Sequence, residues 1–188
     1  MPPLQFFAEN NNIMPRNFEF KAKTVNNEHL ENLLLPYHPV LIGMDHQVDT
    51  YFNVANGRLK FREGNIENAL IHYERTNIAG AKQSNVLLYQ HNSDHILKEI
   101  LEKGLGVKII VDKQRKIYFI ENVKFHFDEV NGLGSFVEVE AIDRDNSLPI
   151  ERLKEQCNDY AQLFQIGADE FIAESYSDLL LAKISSTS

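Results

Sequence analysis

Val123-Lys-Phe-His-Phe-Asp128 and Ser135-Phe-Val-Glu-Val-Glu-Ala-Ile-Asp143, joined across Asn131-Gly132-Leu133-Gly134, decide how this chain is read. Side chains alternate faces along a strand. In the first segment Lys124, His126 and Asp128 therefore share one face and Val123, Phe125 and Phe127 the other. In the second, Glu138 and Glu140 oppose Val137, Val139 and Ala141. Two alternating runs across a glycine-containing turn read as neighbouring antiparallel strands, each with one apolar and one charged face.

The same pattern extends outward. Asn17, Glu19, Lys21 and Lys23 alternate with Phe18, Phe20 and Ala22; Arg58, Lys60 and Arg62 alternate with Leu59 and Phe61. Lys113 and Arg115 share a face within a run over 107–119, and further strands are expected over 46–53, 69–76 and 85–90. Arg75 falls near the end of one of them. That makes about eight strands. Helices are expected at 27–35, stopped by Pro36, and at 94–103, N-capped by Ser93 and ended by Gly104. A third should begin at Pro149 and run to about Gln165, closed by Gly167, with Ile150, Leu153, Cys157, Tyr160, Ala161 and Phe164 at helical spacing. A fourth is expected over 168–183.

The 188 residues are 43% hydrophobic and 24% charged, ordinary globular usage. No linker-like or repeated segment divides them. Residues 1–13 read as an N-terminal arm and 14–188 as one domain. No membrane span or signal peptide is visible, and a single cysteine, Cys157, gives no disulfide framework. A cytoplasmic protein is expected, with Cys157 a small core residue. The net charge of −8 argues against a nucleic-acid partner.

An antiparallel sheet with one wet face would explain any single strand. The set is less ordinary, because its charges are sorted by sign: basic pairs at Lys60/Arg62 and Lys113/Arg115, acidic at Glu138/Glu140. Eight strands can close a barrel. With helices outside, Phe18, Phe20, Phe61, Val137 and Val139 would pack beneath them and the charged faces would line a lumen. Lys21, Lys60, Arg62, Arg75, Lys113 and Arg115 would then face a compact polyanion, since cationic forks suit phosphate. Glu19, Glu138 and Glu140 form an all-oxygen set suited to Mg2+ or Mn2+. Phosphates with a hard cation imply a nucleotide or polyphosphate.

These residues resemble the CYTH family, the triphosphate tunnel metalloenzymes, which includes class IV adenylyl cyclases and thiamine or inorganic triphosphatases. The family opens with Glu-x-Glu-x-Lys; here Asn17-Phe-Glu19-Phe-Lys21 matches at Glu19 and Lys21, with Asn17 in place of the first Glu. Gln47-Val-Asp49-Thr-Tyr51-Phe52, Gly57-Arg-Leu-Lys60-Phe-Arg62-Glu63, Leu70-Ile-His-Tyr-Glu-Arg75, Val111-Asp-Lys113-Gln-Arg115, His126-Phe-Asp128 and Phe136-Val-Glu138-Val-Glu140 follow in order. Lys23 and Ser175-Tyr-Ser-Asp-Leu-Leu look most like the members grouped with class IV adenylyl cyclases.

The resemblance implies an α+β fold: an eight-stranded antiparallel closed β-barrel, the triphosphate tunnel, with helices packed outside. It implies Lys21, Lys23, Lys60, Arg62, Arg75, Lys113 and Arg115 on the phosphates, and Mg2+ or Mn2+ on Glu19, Glu138 and Glu140. Glu19, Lys21 and Asp128 are the expected catalytic residues, Asp128 either holding a basic neighbour or a metal-bound water. The expected substrate is a nucleoside, organic or inorganic triphosphate. A class IV-type cyclase would turn ATP into cyclic AMP and pyrophosphate; a triphosphatase would hydrolyse the terminal phosphate. A polyphosphate-binding module without turnover is the third reading, motivated by Asn17. A homodimer is left open. His126 is read as a satisfied lumen histidine, and Tyr51 and Tyr73 as wall packing.

Overall fold

A computed structural model describes residues 16–74, 82–92 and 95–187. The expected arm over 1–13, the N-cap Ser93 and Arg75 lie outside the described residues.

The strands are β1 (Arg16–Lys23), β2 (Val40–Phe52), β3 (Arg58–Gly64), β4 (Ala69–Glu74), β5 (Lys82–Gln90), β6 (Val107–Ile120), β7 (Val123–Val130) and β8 (Gly134–Asp143). The helices are α1 (Asn27–Leu34), α2 (His95–Leu105), α3 (Ile150–Leu163) and α4 (Tyr176–Thr187). The fold is α+β, and all strand pairs are antiparallel. Among the described residues no helix is long and apolar enough to cross a membrane.

Strand order around the sheet is β1-β5-β4-β3-β2-β6-β7-β8, with β1 and β5 meeting at the seam. At this seam the expectation of a closed barrel is corrected. β1 pairs with β8 along its whole length, from Arg16↔Asp143 to Lys23↔Phe136. Among the described residues it meets β5 only at Asn17↔Ser84, Phe18↔Gln83 and Glu19↔Lys82. Beyond Glu19 its edge passes to another segment. The Ile172 N–H donates to the Lys21 carbonyl (2.9 Å), the Lys23 N–H donates to the Glu170 carbonyl (3.0 Å), and Ala22 bridges Phe171. The sheet is thus a half-open barrel, joined strand to strand at one corner and covered by a strap along the rest of that seam. The strap satisfies backbone groups that an unpaired edge would leave exposed.

The main apolar core lies outside the sheet, where Phe20, Val137, Val139, Phe125 and Phe127 meet Leu30 and Leu34 of α1 and Leu153, Cys157 and Phe164 around α3. Phe18 packs against the same cluster. Phe61 does not join it; fully buried, it stacks on the His91 ring at 4.1 Å. Cys157 is buried as expected, burial pushes its thiol up to about 12, and its S–H points to the Phe18 carbonyl at 3.2 Å. Asn26 caps α1 by accepting the His29 N–H at 3.0 Å. α3 ends close to the expected Gln165, and the residue that closes it is Gln165 itself, in the left-handed region at φ 55°, rather than Gly167. Residues 168–175 supply the strap instead of a helix, and α4 starts only at Tyr176.

A second cluster gathers Tyr51, Ile71, Tyr73, Val111, Val130 and Phe136 with Tyr176. Tyr51 and Tyr73 do pack there. These positions carry the strand parity of Asp49, Lys113, Asp128 and Glu138, so one end of the lumen is apolar and filled. Charge lines only the remainder.

Candidate functional site

Strand parity sends Asp49 of β2, Lys60 and Arg62 of β3, and Lys113 and Arg115 of β6 to one interior wall. Asp49 is its hub. It accepts two hydrogen bonds from Arg62 (Nε to Oδ1 2.7 Å, Nη2 to Oδ2 2.9 Å), one from Lys113 Nζ (2.8 Å) and one from Lys60 Nζ (3.0 Å). Burial pushes the Asp49 carboxyl up, but Arg62, Lys113 and Lys60 outweigh it and hold the group well below the usual carboxylate range. One carboxylate does not balance this many cations. Burial, with Arg62 beside it, pulls Lys60 down to about 7. Burial pulls Lys113 down to about 8, Arg62 and Arg115 adding to the fall against Asp49. Two lysines near neutrality in a buried cationic wall mark a place where further negative charge would be stabilising.

Arg115 turns to the other side of the lumen. Its Nε donates to Asp128 Oδ1 (2.7 Å) and its Nη2 to Glu138 Oε2 (2.6 Å). The Tyr176 hydroxyl donates to Asp128 Oδ2 (2.7 Å). Lys21 pairs with Glu138 (3.1 Å) and sits over the Tyr176 ring at 4.1 Å. Asp128 therefore holds a basic neighbour, one of its two expected roles.

Glu140 lies in a different environment. Its Oε1 accepts from Asn17 Nδ2 at 2.6 Å, and Glu19 stands directly opposite it in the β1–β8 register. Like charges directly across a strand pair repel. Burial pushes the Glu140 carboxyl up; Lys124 opposes the rise, while Glu19 and Glu138 add to it. Among the described residues Asn17 Oδ1 is buried without a hydrogen-bond partner.

These three residues test the fit of a metal. An orphaned amide oxygen beside two opposed carboxylates is a hard-oxygen donor set that a divalent cation would satisfy. Glu138 differs, because Arg115 and Lys21 already occupy it. Among the described residues no group of three or more His, Cys, Asp or Glu side chains is gathered for a metal. The fit thus rests on Glu19, Glu140 and the Asn17 amide.

Of the expected residues, the structure brings together Glu19, Lys21, Lys60, Arg62, Lys113, Arg115, Asp128, Glu138 and Glu140. Lys23 stands exposed at the end of β1, outside the cluster. Among the described residues Asp49 and Glu67 add to the acids expected in the lumen and Lys124 to the bases. His126 is buried with Nδ1 3.5 Å from Glu138 Oε2, and among the described residues neither ring nitrogen makes a hydrogen bond of good geometry, so the ring is less satisfied than expected. Burial, reinforced by Arg115 and Lys124, pulls it down to about 3, keeping the ring neutral. Parity puts Lys124 on the face of His126 and Asp128, though the expected ligand set passes over it, and could have flagged Asp49, two residues before Tyr51. Glu67 lies in a connection, where parity carries no information.

The family model described as the CYTH domain matches residues 15–176. Among solved structures the chain is similar to the PH1012 protein of Pyrococcus horikoshii OT3 at 22% identity and a TM-score of 0.73, covering 87% of this chain and 98% of that one. A putative adenylate cyclase from Vibrio parahaemolyticus matches at 18% identity and a TM-score of 0.69, covering 87% and 97%. The Hippeastrum protein HpAC1, described as a putative adenylyl cyclase with a dominant triphosphatase activity, matches at 14% identity and a TM-score of 0.56, covering 92% and 96%. These likenesses concern the fold. Among curated proteins none matches the chain.

Proposed function

The chain belongs to the CYTH domain family, and from that premise we propose that it binds a triphosphate inside the half-open barrel and, with Mg2+ or Mn2+, converts ATP to cyclic AMP and pyrophosphate. The observation that carries this reading is the buried convergence of Lys60, Arg62 and Lys113 on Asp49, with Glu19 and Glu140 facing each other elsewhere on the lumen wall. Asp49 and Lys113 are deeply buried, their side chains 2% and 1% exposed, while the Glu138 side chain is 21% exposed. Glu19 and Glu140 are likewise half-buried. A phosphate chain entering past the carboxylates would set its distal phosphates among Lys60, Arg62 and Lys113, and its α-phosphate beside Glu19 and Glu140.

Each residue then has a task. Lys60, Lys113 and Arg62 hold the phosphates that leave as pyrophosphate, and the accumulating charge on that leaving group falls where the two lysines share the single Asp49 carboxylate. Arg115, fixed by Asp128 and Glu138, presents a rigid guanidinium toward the middle of the chain. Glu19, Glu140 and the Asn17 amide would hold the divalent ion. When bound, it would polarise the phosphoryl oxygen and lower the pKa of the attacking hydroxyl. Cyclisation forms a bond from the ribose 3′-oxygen to the α-phosphorus and breaks the bond from that phosphorus to pyrophosphate.

Triphosphate hydrolysis is the second reading. It needs only water at the terminal phosphorus, and the triphosphatase activity ascribed to the similarly folded Hippeastrum protein keeps it in view. Incubation with ATP, tripolyphosphate and thiamine triphosphate in Mg2+ or Mn2+, with all products identified, separates the two. The expected result is cyclic AMP and pyrophosphate in equal amounts from ATP, none with a chelator, and competition by tripolyphosphate far stronger than by AMP. ADP with phosphate, or rapid tripolyphosphate cleavage, would replace the cyclase with the hydrolase. AMP competing as well as tripolyphosphate would remove the phosphate-reading site altogether.

A further inference from the structure

Glu67 comes from the connection between β3 and β4, yet its carboxylate reaches into the lumen. Its Oε2 accepts from Arg62 Nη1 at 2.9 Å and Gln47 Nε2 at 3.0 Å, and its Oε1 accepts from Lys124 Nζ. Arg62 belongs to β3 and Lys124 to β7, with β2 and β6 between them in the strand order. A single loop carboxylate therefore spans cations from separate walls, as a phosphate would.

The connection that carries it is held by polar bonds. Asp45 accepts the Ile66 N–H at 2.8 Å and the Glu67 N–H at 3.0 Å, and Asn68 exchanges two hydrogen bonds with Gly64. The approach is tight: a Cβ at Gly64 would lie 2.7 Å from Asp45 Oδ1 and 2.6 Å from the Glu67 carbonyl oxygen. Ile66 is 41% exposed and gives the loop little apolar anchoring. Such a segment can open without disturbing the core.

We propose that Glu67 is a displaceable internal anion: at rest it occupies part of the phosphate site, and an incoming polyphosphate expels it. The proposal rests on the phosphate-binding reading of the lumen. It makes Glu67 a specificity-determining residue. A ligand with a single phosphate gains too few contacts to displace a carboxylate already bonded to Arg62, Gln47 and Lys124. A chain of three phosphates, reaching Lys60 and Lys113 as well, gains enough.

The test compares wild type, Glu67→Gln and Arg62→Ala by calorimetric titration and stopped-flow mixing with tripolyphosphate. Glu67→Gln keeps the shape and removes the charge, so it should bind about tenfold tighter, with an association rate linear in ligand concentration. Wild type should instead saturate at the rate of loop release. Asp45→Asn loosens the loop while leaving Glu67 and the cations in place; it should also raise the association rate, and it serves if Glu67→Gln does not melt cooperatively. Equal or weaker binding by Glu67→Gln, with kinetics like wild type, would overturn the plug and make Glu67 a positioning residue, leaving the phosphate site intact. Absence of binding in wild type and Glu67→Gln alike would remove the phosphate site and the plug together. Wild-type binding untouched by Arg62→Ala would place the ligand elsewhere.

Discussion

Asp49→Asn should lower stability by about 3–5 kcal/mol, the cost of leaving buried charges without their partner, and tripolyphosphate should restore much of the loss. Asp49 is the carboxylate that Arg62, Lys113 and Lys60 share. The lysines can respond to its removal by shedding protons, because they already sit at about 7 and about 8. Arg62 cannot. Its guanidinium keeps Glu67 but loses the charge of Asp49 and one of its two bonds there, since the Asn amide offers one acceptor oxygen and turns an NH2 donor toward the cations, and most of the destabilisation originates there. A polyanion in the lumen would take over the role of the missing carboxylate. Thermal melts with and without tripolyphosphate check this: the ligand should raise the melting temperature of Asp49→Asn more than that of wild type. Equal shifts would mean that the anion does not visit this wall.

Glu140→Gln should reduce turnover by roughly 100- to 1000-fold, on the scale of losing one electrostatic catalytic group, with the fold intact. Burial, with Glu19 and Glu138 adding to it, pushes the Glu140 carboxyl up against Lys124, so neutralising it relieves more than the Lys124 attraction it gives up. The loss should therefore come with unchanged or slightly raised melting temperature, measured beside initial rates over a Mg2+ and Mn2+ series. Asn17→Glu is the complementary change. Adding a negative charge next to Glu140 should lower the metal concentration needed for half-maximal rate. Turnover of Glu140→Gln equal to wild type would remove the metal assignment.

What could be read from the sequence was whatever depends on strand parity. The alternation in 123–128 and 135–143 placed His126, Asp128, Glu138 and Glu140 on one face, and β7 and β8 carry them so. Lys60, Arg62, Lys113 and Arg115 followed the same rule. Parity could not show which wall each cation would face, and so missed that Arg115 serves Asp128 and Glu138 while Lys113 serves Asp49. Nor could it find Glu67, whose position depends on a loop folding back onto Asp45. The seam was hidden for a related reason. Residues 170–172 carry a helix-like pattern, and their pairing with β1 is a contact across about 150 residues that no local pattern shows. Asn17 was visible as a departure; that its amide oxygen stands buried and unpaired beside Glu140 needed the structure.

If the crowded lysine wall is the phosphate site, calorimetric titration of wild type with tripolyphosphate at pH 6.5 and 9.0, in buffers of different ionisation enthalpy, should record the protons that the wall takes up. Lys60 at about 7 and Lys113 at about 8 must be charged in the complex, so binding should draw protons onto the protein. Affinity should fall by roughly 100-fold from the lower to the higher pH, with net proton uptake near pH 8. The ligand cannot produce this signature, since it gains negative charge as pH rises and gives up protons when it binds cations. Affinity that stays level or rises with pH, with protons released, would contradict the account.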